Sequence, residues 1–255
     1  MIPLFPAFAG VAAALWLAGI FLRREGKAAA GNALYASGIL ALAAYVVALW
    51  VALGRPPLRT LGETRLLYAL LLPAVALGIS LRWKIRWPMI YGAAVAAVFL
   101  AINVARPDNF DKTLMPALQS AWFVPHVVVY ILAYAFLTAS ALGAVRFLLG
   151  HDDTLPACDR AVWIGLAFLT MGLLFGAFWA KEAWGHYWTW DPKETWAFLT
   201  WAIYLAYIHV RLHHPAARRP AAVFLLSAAA ILGVCWFGVN YLPSAASSVH
   251  TYTKP

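Results

Sequence analysis

The sequence predicts an all-α fold: a polytopic integral membrane helix bundle of about eight transmembrane helices, with a Trp-rich segment on its outer side. Three observations predict it. Of 255 residues, 64% are hydrophobic and only 11% charged, too little polar surface to clothe a water-soluble particle. A bilayer's hydrocarbon core takes roughly 20 apolar residues per helical crossing, and the chain offers eight such stretches. The 19 Lys and Arg against 10 Asp and Glu, a formal charge of +9, gather mostly between those stretches, as they do in the cytoplasmic loops of membrane proteins. A basic balance of that origin is a topology signal, and no nucleic-acid partner is expected from it.

The stretches follow in order. Leu4 to Leu22 has no basic residue ahead of it and no small-residue cleavage pattern behind it, so it reads as a retained helix and not a signal peptide. Asn32 to Leu53 is the second and Arg65 to Leu81 the third, carrying Pro73, a kink that neighbouring helices can satisfy. Trp87 to Ala105 is the fourth and closes an N-terminal membrane region, residues 1–115. His126 to Leu149, Arg160 to Ala180, Thr195 to Leu212 and Ala221 to Tyr241 lie in the remaining 116–255. Arg23, Arg24, Lys27, Arg82, Lys84, Arg86, Arg146, Arg160, Arg211, Arg218 and Arg219 fall in the odd-numbered loops, eleven of the 19 basic residues. That bias puts both termini and the sixth-to-seventh connection outside, with the odd loops in the cytoplasm. No repeat, low-complexity tract or soluble domain is apparent. Cys158 and Cys235 form no Cys-x-x-Cys pair, so neither a dithiol redox motif nor a haem-attachment motif is visible.

Six of the 13 tryptophans lie between Trp179 and Trp201, in WAKEAWGHYWTWDPKETWAFLTW. An aromatic belt would spread a few rings along each membrane interface, whereas these crowd into one connection. Trp184, Trp188 and Asp191 fall at helical spacing, which would turn one aromatic face outward, a shelf suited to a flat, apolar ligand. In Asp191, Pro192, Lys193 and Glu194 the order is that of a capping box with proline at the first helical position. Asp191 thus starts the seventh helix, and orienting a neighbouring tryptophan or basic group is a second role open to it. Lys181, Glu182, Lys193 and Glu194 otherwise read as solvated interface charges.

WGHYWTWDPKETW closely resembles the WWD signature of haem-handling proteins in cytochrome c biogenesis. The continuation AFLTWAIYLAYIH looks like the CcsA (ResC-type) branch of that superfamily, which serves the System II pathway; the CcmF branch typically differs after WDP, and CcmC proteins are usually shorter. The resemblance extends to PALQSAWFVPHVVVYILAYAFLTASAL before the signature and GVNYLPSAASSVHTY after it. It implies that 116–255 is a cytochrome c assembly core that handles haem, while the first four helices match only loosely, through RPPLRTLGETRLLY.

Seven histidines occur, at 126, 151, 186, 209, 213, 214 and 250, and neutral imidazole is a common axial ligand of haem iron. His126 opens the fifth helix and His250 follows the eighth, both on the side of the tryptophan segment; the resemblance implies that they are the two external haem ligands. His209 lies about 21 Å along the seventh helix from its outer edge, beside Phe198, Ala202 and Leu205 on one face. A histidine within an apolar helix is a functional candidate by default, although a snorkelling or capping side chain near Arg211 is the plainer alternative. The resemblance favours a transmembrane ligand there. No histidine occurs in the first four helices, so the chain offers no obvious intramembrane mate for His209; the resemblance implies that a CcsB (ResB-type) partner supplies it. His213 and His214 read as members of the basic cytoplasmic connection, His151 as loop surface and His186 as a lining residue.

The resemblance implies that haem b is the substrate, relayed outward from an inner position at His209. It would be held between His126 and His250, with Trp184, Trp188, Trp190 and Asp191 around it, for attachment to the Cys-x-x-Cys-His segment of an apocytochrome c. The chain would then be a component of a cytochrome c synthase (haem lyase) in the cell membrane. No residue looks like a dedicated acid or base, and no catalytic residue is assigned. A membrane electron carrier would use the same ligands but would want both histidine pairs on facing helices of one chain. A transporter of another substrate would show broken helices and internal repeats, and neither is evident.

Overall fold

The structure, a computed structural model, describes residues 2–58, 60–110, 120–151, 154–244 and 248. Among them are eight long helices: α1 (Phe5–Arg24), α2 (Ala28–Leu53), α3 (Leu61–Trp83), α4 (Trp87–Ala105), α5 (Phe123–Leu148), α6 (Leu155–Trp184), α7 (Pro192–His213) and α8 (Arg218–Trp236). No strand occurs among the described residues. Seven of the helices are long and apolar enough to cross a bilayer. The remaining one, α7, has 22 residues, about 33 Å of helix, but dilutes its apolar content with Lys193, Glu194, Arg211 and several Trp and Tyr.

The predicted stretches all become helices, mostly longer than their apolar cores. α6 runs to 30 residues, because Leu155 to Asp159 and Lys181 to Trp184 extend a helix whose apolar run is shorter. α3 passes through Pro73 unbroken. The eighth stretch is the exception: its helix stops at Trp236, and Gly238–Tyr241 forms a separate 3₁₀ turn, as poor helix formers such as Gly238 and Asn240 allow.

The chain divides into two compact units, Met1–Met115 and Pro116–Pro255. In the first, α1 packs on α2 and α4, and α3 on α4 and α2, giving a ring of four helices. Phe5, Trp16, Tyr35, Leu42, Tyr45, Leu66, Met89 and Ala96 fill its centre, and the Tyr35 hydroxyl donates to the Met89 carbonyl at 2.9 Å. The RPPLRTLGETRLLY segment supplies the start of α3. Thr60 caps it by accepting from the Glu63 amide, the Arg55 guanidinium grips the Glu63 carboxylate through two bonds of 2.8 and 2.9 Å, and Asn103 donates to the Gly62 carbonyl. Glu63 is 2% exposed, a burial a carboxylate tolerates only when paired in this way.

In the second unit α5 packs on α6 and α8, and α7 on α6 and α8, again closing a ring of four. The α5 side of this ring carries the largest share of buried residues. Two ends result: the α6–α7 connection lies at one, the α5–α6 and α7–α8 connections at the other. At the latter end Asp159 of α6 accepts from Arg211 Nε and Nη2, both at 2.9 Å, and from the Tyr207 hydroxyl at 2.7 Å. Cys158 and Cys235 are buried free thiols.

Candidate haem-binding site

The geometry around His126 begins with two glycines. Gly172 and Gly176 stand one turn apart on α6 and let α5 approach closely: a Cβ on Gly172 would lie 2.7 Å from the Tyr130 ring, and one on Gly176 would lie 2.8 Å from Cε1 of His126. Small residues at this spacing are how membrane helices bring their backbones together. In the space so made, His126 Nδ1 donates to the Gly172 carbonyl at 2.9 Å. A carbonyl only accepts, so the neutral ring keeps its proton on Nδ1 and its lone pair on Nε2, the arrangement that prepares a histidine for iron.

Aromatic rings surround this imidazole. Tyr130 meets it edge-on at 4.7 Å, and Trp179 lies tilted against it at 5.3 Å. Trp179 in turn touches Phe123 and Trp184, at 5.1 and 4.9 Å. Ser120, just before α5, donates to the Glu182 carboxylate near the end of α6, which ties the start of α5 to the tryptophan segment.

That segment is not helical across its middle. α6 ends at Trp184 because Gly185 takes a left-handed conformation, φ +86°, and residues 185–191 are irregular until Asp191 starts α7. The single face expected of Trp184, Trp188 and Asp191 at helical spacing therefore does not form. Trp184 instead joins the His126 group. Trp188 and Trp190 meet edge-on at 5.7 Å, and Trp190 continues through Phe198 to Trp201 along α7. Trp190, with φ +60°, is 62% exposed, while the Trp188 indole N–H is buried with no acceptor among the described residues.

Asp191 forms the capping box that its sequence announces, accepting from the Lys193 amide. It also accepts from the Ser248 hydroxyl at 3.0 Å, which brings the segment after α8 back onto the tryptophan connection. Glu194 departs from the expectation of a solvated charge. It is buried, and its Oε2 accepts from the amides of Thr189 and Asp191 at 2.8 and 3.1 Å and from the Thr189 hydroxyl, so it fixes the turn that carries Trp188 and Trp190. Lys181 is exposed as expected, donating to the Gly185 carbonyl and lying over Tyr187.

The model of the cytochrome C assembly protein family matches residues 31–246. The chain belongs to that family. Among curated relatives, it is 31% identical to the cytochrome c biogenesis protein CcsA of Synechococcus sp. strain CC9311, over 92% of this chain and 93% of the relative. It is 31% identical to CcsA of Parasynechococcus marenigrum, over 93% and 92%. It is 32% identical to CcsA of Chlamydomonas reinhardtii, over 80% of this chain but only 62% of that longer protein. Membership of the cytochrome c assembly family and the apolar helices make this a multi-pass integral membrane protein with a role in cytochrome c biogenesis.

Within that family frame, the structure brings His126, Trp179 and Trp184 together and holds Ser248 on Asp191. His250 lies outside the described residues. His209 is at the opposite end of the second unit, exposed on α7, with Phe198 and Leu205 also exposed along that face at 39% and 43%. Its ring stacks on His213 at 4.2 Å. His151, His186 and His214 are exposed. Sequence reasoning missed Gly172, Gly176, Tyr130 and Glu194; the small-residue spacing on α6 was the signal for the glycines.

Proposed function

We propose that this chain binds haem b as a substrate at two depths and presents it for covalent attachment to apocytochrome c, as part of a cytochrome c synthase acting with a CcsB/ResB-type membrane partner. The observation that carries the reading is the preparation of His126: its tautomer fixed by Gly172, its ring set among Trp179 and Tyr130, at the end of the bundle that bears the tryptophan segment. Ser248 donates to Asp191, so the segment after α8 returns to the tryptophan connection. The family resemblance supports His126 and His250 as the ligand pair.

The residues fit the group. The imidazoles of His126 and His250 would ligate the iron and tune its potential, and aromatic side chains would pack against the macrocycle. Trp188 offers a buried N–H for an anionic substituent such as a propionate, in keeping with the rule that buried donors find acceptors. Each apocytochrome thiol adds its sulfur to one carbon of a vinyl group and its proton to the other, with the thiolate as nucleophile. The chain's own work is to hold the haem edge toward the peptide and to yield one ligand to the incoming histidine. No acid or base is required of it, so rate comes from positioning.

His209 supports an inner station, completed by a histidine from the partner. The excess of basic residues in the odd loops supports the orientation, with the termini and tryptophan segment outside. Haem staining tests the function: the chain, co-expressed with its partner and an apocytochrome, yields a covalently haem-stained product that His126→Ala abolishes. Full staining by the variant, or by the chain without any partner, contradicts the corresponding part of the reading.

A further inference from the structure

We propose that His213 is a second haem-iron ligand on α7, a peripheral station from which haem is handed to His209; the inference rests on the haem-relay reading above. Four features of the helix carry it. His213 is the last residue of α7, one turn, about 6 Å, beyond His209 toward the helix end. Both side chains are exposed, so both are reachable from outside the four-helix ring. Their rings lie nearly parallel, with centroids 4.2 Å apart and planes at 28°. His213 Nδ1 donates to the His209 carbonyl at 3.1 Å, which places the lone pair of the neutral ring on Nε2, as Gly172 does for His126.

Side-by-side imidazoles on one helix face cannot serve as the two axial ligands of one haem, because those must approach the iron from opposite sides of the macrocycle. They are therefore alternative ligands, occupied in turn. The surroundings select haem over a bare metal ion. Among the described residues no group of three or more His, Cys, Asp or Glu is placed to hold a metal ion, so a cation at this pair would find no third protein donor of that kind. Leu205 and Leu212 are exposed at 43% and 64%, and together with His209 and His213 they fall within about one third of the helix circumference. That face gives a flat macrocycle an apolar bed next to two possible iron ligands.

The Asp159, Arg211 and Tyr207 network holds the opposite face of the same turn. By pinning Arg211 and Tyr207 to α6, it fixes the rotation of α7 and keeps His209 and His213 on the outward side. These are positioning residues for the relay.

Stopped-flow mixing of the detergent-purified complex of this chain and its CcsB/ResB-type partner with ferric haem tests the assignment, in a His126→Ala background so that the outer site does not contribute. His213→Ala should slow haem uptake about tenfold while leaving the final bound spectrum unchanged. His209→Ala should retain a fast, weak binding phase that disappears in His209→Ala/His213→Ala. His214→Ala, one position on, should behave as the parent. A His213→Ala protein that loads at the parental rate, or a His209→Ala protein without the fast phase, overturns the station at His213. If the parent takes up no haem, the relay reading fails first, which distinguishes the two.

Discussion

Gly176 decides where the His126 ring sits. A Cβ on Gly176 would lie 2.8 Å from the imidazole and force the ring to shift, and the Nδ1 bond to Gly172 depends on the same close approach of α5 and α6. Gly176→Ala is expected to cost about 1–3 kcal/mol of stability through overpacking and to weaken haem binding by displacing the ring. Thermal unfolding in detergent and a haem titration read the two effects separately, and unchanged binding with lowered stability would separate the glycine from the site. At this scale the sequence was partly legible. His126 stood out through the family resemblance, whereas a glycine within an apolar helix reads as filler until its neighbour is known. Glu194 misled for a similar reason: a charge at a membrane interface is ordinarily solvated, and only the folded turn shows two amides and a hydroxyl converging on it.

Helix α7 is held at both ends by polar chemistry. The capping box of Asp191 and Glu194 starts it, and the bidentate pairing of Arg211 with Asp159, reinforced by Tyr207, ties its last turn to α6. Arg211→Ala leaves a poorly solvated carboxylate and is expected to destabilise the protein by about 2 kcal/mol, against about 1 kcal/mol for Tyr207→Phe; denaturation midpoints of the two variants check the order. Replacing Gly185 by alanine forces a left-handed conformation on an L-residue, at about 1–2 kcal/mol, and should disturb the Trp188 and Trp190 turn. The existence of all eight helices was legible because each needs its own apolar length. Their ends were not, since α6 extends through residues that hydropathy alone does not favour, and the irregular turn after Gly185 hides behind a chance helical spacing of Trp184, Trp188 and Asp191.

Over the whole molecule, low charge density and the uneven distribution of Lys and Arg carry the largest inferences. They predict that Tyr187 and His214, exposed in the α6–α7 and α7–α8 connections, face opposite sides of the membrane. In intact cells an impermeant thiol reagent should label Tyr187→Cys from outside and leave His214→Cys untouched; native Cys158 and Cys235 are buried and give little background. Labelling in the reverse order would contradict the proposed orientation. The membership of the cytochrome c assembly family rests on motifs that the chain displays openly, while the close approach of α5 and α6 at His126 is geometry that no single-sequence pattern contains. The most direct measurement is the absorption spectrum of the purified protein with bound haem. The account predicts a six-coordinate, bis-histidine spectrum that is weakened both by His126→Ala and by His250→Ala; the same spectrum, undiminished in both variants, would contradict it.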